Sequence, residues 1–182
     1  GLEMGVRNAN DAISMIQTAD GALVEVGNML QRMRELALQS ANGTTTEADR
    51  NYLNTEYQNL QSEIERIADA TQFNGKTILH GDADATADST VKFQVGANGG
   101  QTIEVDFGDI SASGTAAFTA LSAGATTGGF ISAQTTASAI TTASTAVTAI
   151  DAAITSVNGQ RATFGAAINQ MTYAIDNLSS VK

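Results

Sequence analysis

A seven-residue apolar repeat over residues 140–178 constrains this chain more than any other feature. Ile140, Val147, Ile154, Ile168 and Ile175 share one heptad position, interrupted only by Arg161. Ala143, Ile150, Val157, Phe164, Met171 and Leu178 share the partner position. A stripe with this repeat stays aimed at one partner over many turns, which is the pattern of coiled-coil packing. At 1.5 Å rise per residue the helix would run roughly 60 Å, longer than a compact domain of this mass needs. The chain contains no proline to break it. No stop signal closes the pattern before Lys182, so the chain is expected to be part of a longer rod.

Composition narrows the function classes. The 182 residues suit one domain with a small lobe. A net charge of −10 argues against a broad basic patch for nucleic acid or an anionic membrane surface. The absence of cysteine excludes disulfides and thiolate metal sites. No uninterrupted apolar run approaches the roughly 18 residues of a membrane span. Aromatic residues make up only 5%, so stability is expected to come from long helix–helix seams and neighbouring subunits.

Residues 2–41 read as one helix with Ala9, Ile16, Leu23, Leu30 and Ala37 at one seam position and Ala12, Ala19, Val26, Met33 and Ser40 at the other. Met15, Ala22, Met29 and Leu36 widen the stripe to that of a bundle helix. Asn42-Gly43 is the expected stop. Gly21 and Gly27 suggest close approach of another backbone, whereas Gly5 and Gly165 have no evident reason. Thr44-x-x-Glu47 and Thr46-x-x-Asp49 both resemble capping boxes for a second helix. Leu53, Tyr57, Leu60, Ile64 and Ile67 form its apolar face; Arg50, Asn54, Gln58, Gln61 and Glu65 are expected on the opposite one. The short connection predicts an antiparallel hairpin.

Periodicity then changes. Phe73-Asn74-Gly75-Lys76 is a turn signal, and Val91/Phe93/Val95 with Ile103/Val105/Phe107 alternate as a β-hairpin. Residues 111–138 are Ala, Ser, Thr and Gly with few anchors (Phe118, Leu121, Phe130, Ile131) and are expected to be loosely structured. The helix restarts near residues 132–136. The fold expected is mainly α with a small β part, an antiparallel long-helix bundle or coiled-coil rod carrying a β-hairpin lobe. Its parts are N-terminal rod helices (1–70), a hairpin and loop lobe of the same domain (71–131) and a returning rod helix (132–182).

Arg7-Asn8-Ala9-Asn10-Asp11, the following Ile13-Ser14-Met15-Ile16-Gln17-Thr18-Ala19-Asp20-Gly21, and Gln31-Arg32-Met33-Arg34-Glu35-Leu36-Ala37-Leu38-Gln39-Ser40-Ala41-Asn42 resemble the first rod helix of bacterial flagellins. Thr71-Gln72-Phe73-Asn74-Gly75 and Gln94-Val95-Gly96-Ala97-Asn98 are similar to that family's turn and hairpin motifs. Ile150-Asp151-Ala152-Ala153-Ile154 and Val157-Asn158-Gly159-Gln160-Arg161 resemble its returning helix. The resemblance implies an extracellular structural subunit of the flagellar filament that polymerises with itself. It implies an export chaperone and a cap protein as partners, and no enzymatic activity. It also implies that terminal segments carrying much of the polymerisation lie outside residues 1–182, so that the chain alone would be monomeric. A hook–filament junction protein shares the helical plan, and a secreted surface adhesin is the reading from another class.

No constellation for chemistry stands out. His80 is the only histidine, in a turn-rich segment, and is expected to be solvated. Asp82, Asp84 and Asp88 lack the glycine and glutamate of a calcium loop. The glycine-rich stretch 96–100 lies inside a hairpin, not between strand and helix. No catalytic residue, cofactor or metal site is expected. Arg161 is expected to snorkel or pair locally, fixing register, with contact to a sister subunit as the functional alternative. Arg32, Leu36 and Gln39 stand at i, i+4 and i+7, an outward line on the first helix, with Glu56 near the core edge of the second. The flagellin resemblance implies that Arg32, Leu36 and Glu56, surrounded by Gln31, Glu35 and Gln39, match positions bound by the animal Toll-like flagellin receptor. The same residues are expected to pack subunit against subunit in the filament, and the two roles can hold together.

Overall fold

The computed structural model describes residues 1–84, 86, 88–123 and 136–180. Among the described residues, four helices and two small antiparallel hairpins follow one another: α1 (Leu2–Ser40), α2 (Glu47–Ala70), β1 (Gln72–Phe73), β2 (Lys76–Thr77), β3 (Thr90–Gln94), β4 (Thr102–Asp106), α3 (Ala116–Ala123) and α4 (Thr136–Ser180). With 45 residues, α4 extends about 68 Å.

Every expected seam residue of α1 is buried, from Ala9 to Ser40. Its partner along the whole length is α4, and the contacts fix their direction. Leu178 meets the place a side chain on Gly5 would take, Arg161 pairs with Asp20, Val157 approaches Gly27, and Asp151 pairs with Arg34. Numbers rise along α1 as they fall along α4, so the two helices are antiparallel. Gly27 has only Val157 Cγ1 near it, at 3.9 Å, and Gly21 and Gly165 have open space, so none of the three marks a close backbone approach. Gly5 does: a Cβ there would lie 2.8 Å from the carbonyl oxygen of Val95, where the hairpin end crosses α1.

The register of α4 differs from the expected one by one residue. Ala143, Ile150, Val157, Phe164, Met171 and Leu178 are buried as expected, but the row beside them is Ala139, Ala146, Ala153 and Ala167. The predicted partner row lies at the edge: Val147, Ile154, Ile168 and Ile175 are half-buried, and Ile140 is exposed. Alanines let α4 settle closely on α1 while the large side chains of the adjacent row fill its grooves. By length and composition alone, Ser138–Ser180 would also suit a membrane-crossing helix. Here one face of it is committed to α1, and Asp151 and Arg161 within it form ion pairs with that helix.

α2 also departs from its expected face by one residue, but in the opposite sense. Tyr57 and Ile64 are buried, but so are Arg50, Asn54 and Ala68, whereas Leu53, Leu60 and Ile67 are only half-buried. Arg50, expected on the outer face, is buried because it closes the end of α1. Its Nε donates to the Ser40 carbonyl at 3.0 Å and its Nη2 to that of Asn42 at 3.4 Å. A cation there suits the negative end of the helix dipole. The stop of α1 therefore comes from a side chain ten residues on, while Gly43 does not adopt the left-handed conformation of a glycine cap. Thr46 caps α2, its Oγ1 accepting from Asp49 N at 3.1 Å, which is the hydroxyl half of the second expected capping box. Arg50→Ala is expected to leave two carbonyls without these donors and to lower stability by about 1–3 kcal/mol. Chemical denaturation followed by circular dichroism checks this.

Asn74 and Gly75 take positive φ (54° and 79°) in the two-residue turn joining β1 to β2, the geometry an Asn-Gly pair favours. β3 and β4 pair in register from Thr90↔Asp106 to Gln94↔Thr102, confirming the second hairpin. The hairpin is pinned across the α1–α4 pair: Asn8 Nδ2 donates to Gln94 O at 2.8 Å and Gln160 Nε2 to Asp106 O at 2.6 Å. Of the stretch expected to be loose, the described residues 111–123 are ordered, because α3 forms there, burying Phe118 and Leu121. Gln61 of α2 donates to the Leu121 carbonyl at 2.8 Å. Phe130, Ile131 and the expected helix restart over residues 132–135 lie outside the described residues.

Candidate functional site

The polar residues singled out on α1 and α2 are partly brought together. Antiparallel packing of the α1–α2 hairpin sets Arg32 opposite Glu56. The guanidinium spans both carboxylate oxygens, Nε to Oε1 at 2.8 Å and Nη2 to Oε2 at 3.1 Å, and Nη1 reaches Glu35 Oε2 at 3.2 Å. The bond to Glu56, reinforced by Glu35, holds Arg32 above the usual arginine range. Side-chain exposures of 46% for Arg32, 68% for Glu35 and 45% for Glu56 keep the triad readable from solvent. A planar fork held two-toothed by a carboxylate presents a fixed outline, with only one arm shared with Glu35.

The remaining members diverge. Gln39 is exposed one turn beyond Glu35. Gln31 faces the other way, lining a groove with Gly27, Ile154, Asn158 and Arg161 between α1 and α4. Leu36 is not on the outward line at all: it is fully buried. At i+4 from Arg32 it lies on the same general side, but the close approach of α2 covers it. The reading of Leu36 as a flank of the core stripe holds, and its reading as a surface anchor does not.

Two further pairs join α1 to α4, Arg34 Nε to Asp151 Oδ1 at 2.8 Å and Arg161 Nε to Asp20 Oδ1 at 2.9 Å. Arg161 does break the apolar row, but its partner lies across the seam, not on its own helix. That pair raises its pKa, mainly through the hydrogen bond to Asp20. The antiparallel register contained the signal for both pairs, since their residue numbers have nearly equal sums. Elsewhere, Asp84 is a local turn organiser, accepting from Asp88 N at 2.8 Å and Thr86 N at 2.7 Å, which lowers its pKa. His80 is not simply solvated: Nε2 lies 3.0 Å from Asp69 Oδ1.

Comparison with known proteins bears on the sequence and the fold. Residues 1–84 fit the family model described as the bacterial flagellin N-terminal helical region. A flagellin of Halalkalibacterium halodurans is 54% identical over 123 residues, 68% of this chain and 43% of that protein. A flagellin of Salmonella muenchen is 48% identical over 111 residues, 61% of this chain and 21% of that protein. The matched stretch thus spans less than half of either relative. The crystal structure of Bacillus cereus flagellin superposes with a TM-score of 0.71 at 32% identity, covering 94% of this chain and 88% of that one. With the antiparallel α1–α4 pair, the pinned hairpin and the sequence match all in agreement, the chain belongs to the flagellin family.

Proposed function

We propose that this chain forms the shaft of a structural subunit of the bacterial flagellar filament, an extracellular appendage that drives motility. The observation that carries this reading is the long antiparallel α1–α4 pair, shared with a flagellin crystal structure over nearly the whole chain. Its work is mechanical: paired helices tied at several levels resist shear along their length. The half-buried row Val147, Ile154, Ile168 and Ile175 on α4, with Leu53, Leu60 and Ile67 on α2, supplies apolar surface for packing against further copies of the chain. Export chaperone and cap protein follow as partners from the family resemblance. In a motile bacterium deleted for its own flagellins, the protein carrying this chain is expected to restore filaments and swimming. Secretion without any filament would overturn the proposal.

The exposed Arg32–Glu35–Glu56 triad supports a second role, recognition by the animal Toll-like flagellin receptor, with Gln31 and Gln39 at its margins. Arginine held rigid at a surface is a common interface anchor. Arg32→Ala and Glu56→Ala are each expected to weaken signalling in receptor-expressing reporter cells while leaving helicity unchanged. Parental signalling by both variants would remove this face from the recognition reading.

A further inference from the structure

The end of α2 carries a second cluster that the filament role does not use. Glu65 and Asp69 stand one helical turn apart, and the chain then turns back through β1 and β2 to bring His80 against them. One ligand atom from each of the three lies within 4.8 Å of the others. His80 Nε2 and Asp69 Oδ1 are already 3.0 Å apart. Two ligands bound tetrahedrally at about 2.0–2.1 Å from one zinc ion stand roughly 3.4 Å from each other, so this edge of the polyhedron is nearly formed. Small rotations of the half-exposed side chains bring in the third.

The cluster is held from behind by a segment distant in sequence. Glu65 Oε2 accepts from Ala112 N at 2.6 Å, which fixes the carboxylate and leaves Oε1 available. His80 bridges to Asp109 in antiparallel fashion, and Ile110 N donates to Leu79 O at 3.0 Å. The same strip, residues 109–112, therefore positions both Glu65 and the backbone of His80. Outer groups that orient ligands in this way are a general feature of metal sites. One imidazole and two carboxylates suit a divalent cation that accepts both nitrogen and oxygen, with water completing the shell.

We propose that Glu65, Asp69 and His80 bind one zinc-class divalent cation, which ties the end of α2 to the loop following β2 and so stiffens the junction between rod and lobe. Titrating the intact chain with zinc chloride in a calorimeter is expected to give one equivalent bound with micromolar affinity. His80→Gln and Asp69→Asn, both near-isosteric and the latter at an exposed position, are expected to weaken it by about tenfold or more. Calcium, which does not favour imidazole, is expected to bind no better to the parent than to His80→Gln. Circular dichroism verifies that each variant is folded. Absence of zinc binding to the parent, or binding undiminished in both variants, overturns the proposal.

Discussion

Replacing Phe164 by alanine is expected to lower the unfolding free energy by about 3–5 kcal/mol, the range for deleting a buried phenylalanine side chain. Phe164 is fully buried on α4, and its ring stacks at a tilt on that of Phe107, centroid to centroid 5.4 Å. Phe107 directly follows β4, so this contact joins the rod to the hairpin lobe. Residues near it already commit their polar groups, as in the Gln160 bond to Asp106, and have little freedom to fill the hole. Denaturant unfolding of Phe164→Ala against the parent, at equal slope, checks the size. A loss no larger than that of an exposed replacement such as Tyr173→Ala would show that the lobe is not built onto the rod through this ring.

Leu36→Ala is expected to cost about 2–5 kcal/mol, the range for a buried leucine. This bears on how the proposed recognition surface should be probed. A variant at Leu36 that lost signalling would also have opened a cavity between α1 and α2, so the loss would report on folding as much as on recognition. Arg32→Ala touches only exposed partners and is expected to shift the midpoint little, as exposed ion pairs usually contribute little. Thermal unfolding of the two variants side by side makes the distinction. Equal midpoints would place Leu36 on the surface and contradict its burial.

Legibility varied along the chain for reasons that lie in particular residues. The seam of α1 was legible because its core face mixes large and small apolar side chains with polar ones opposite. α4 offered two candidate rows beside the central one, and bulk favoured the wrong one: isoleucines at 154, 168 and 175 outweigh alanines at 146, 153 and 167 on any hydropathy scale. Close helix packing reverses that preference, because the small row permits the approach and the bulky one remains at the edge. In α2, Arg50 looked like a solvated cation, since nothing local reveals that the end of α1 needs its donors. The hairpins were visible from alternation and Asn-Gly, whereas α3 was hidden in a stretch of Ala, Ser and Thr whose anchoring depends on Gln61 and the core beneath it.

Of the candidate surface, Arg32, Glu35 and Glu56 were recoverable because helix spacing and an antiparallel hairpin together place them. Leu36 was misplaced because the same spacing does not tell how closely the second helix covers the first. The Glu65–Asp69–His80 cluster was out of reach for a related reason. Its histidine arrives through a β-turn whose direction is not written in the spacing of the ligands.

In filaments of the protein carrying this chain, helical reconstruction by electron cryomicroscopy is expected to show α1 and α4 antiparallel as a continuous shaft, with the Val147, Ile154, Ile168 and Ile175 row covered by a neighbouring subunit. Filaments in which α1 and α4 are unpaired, or in which that row stays open to solvent, would contradict this arrangement.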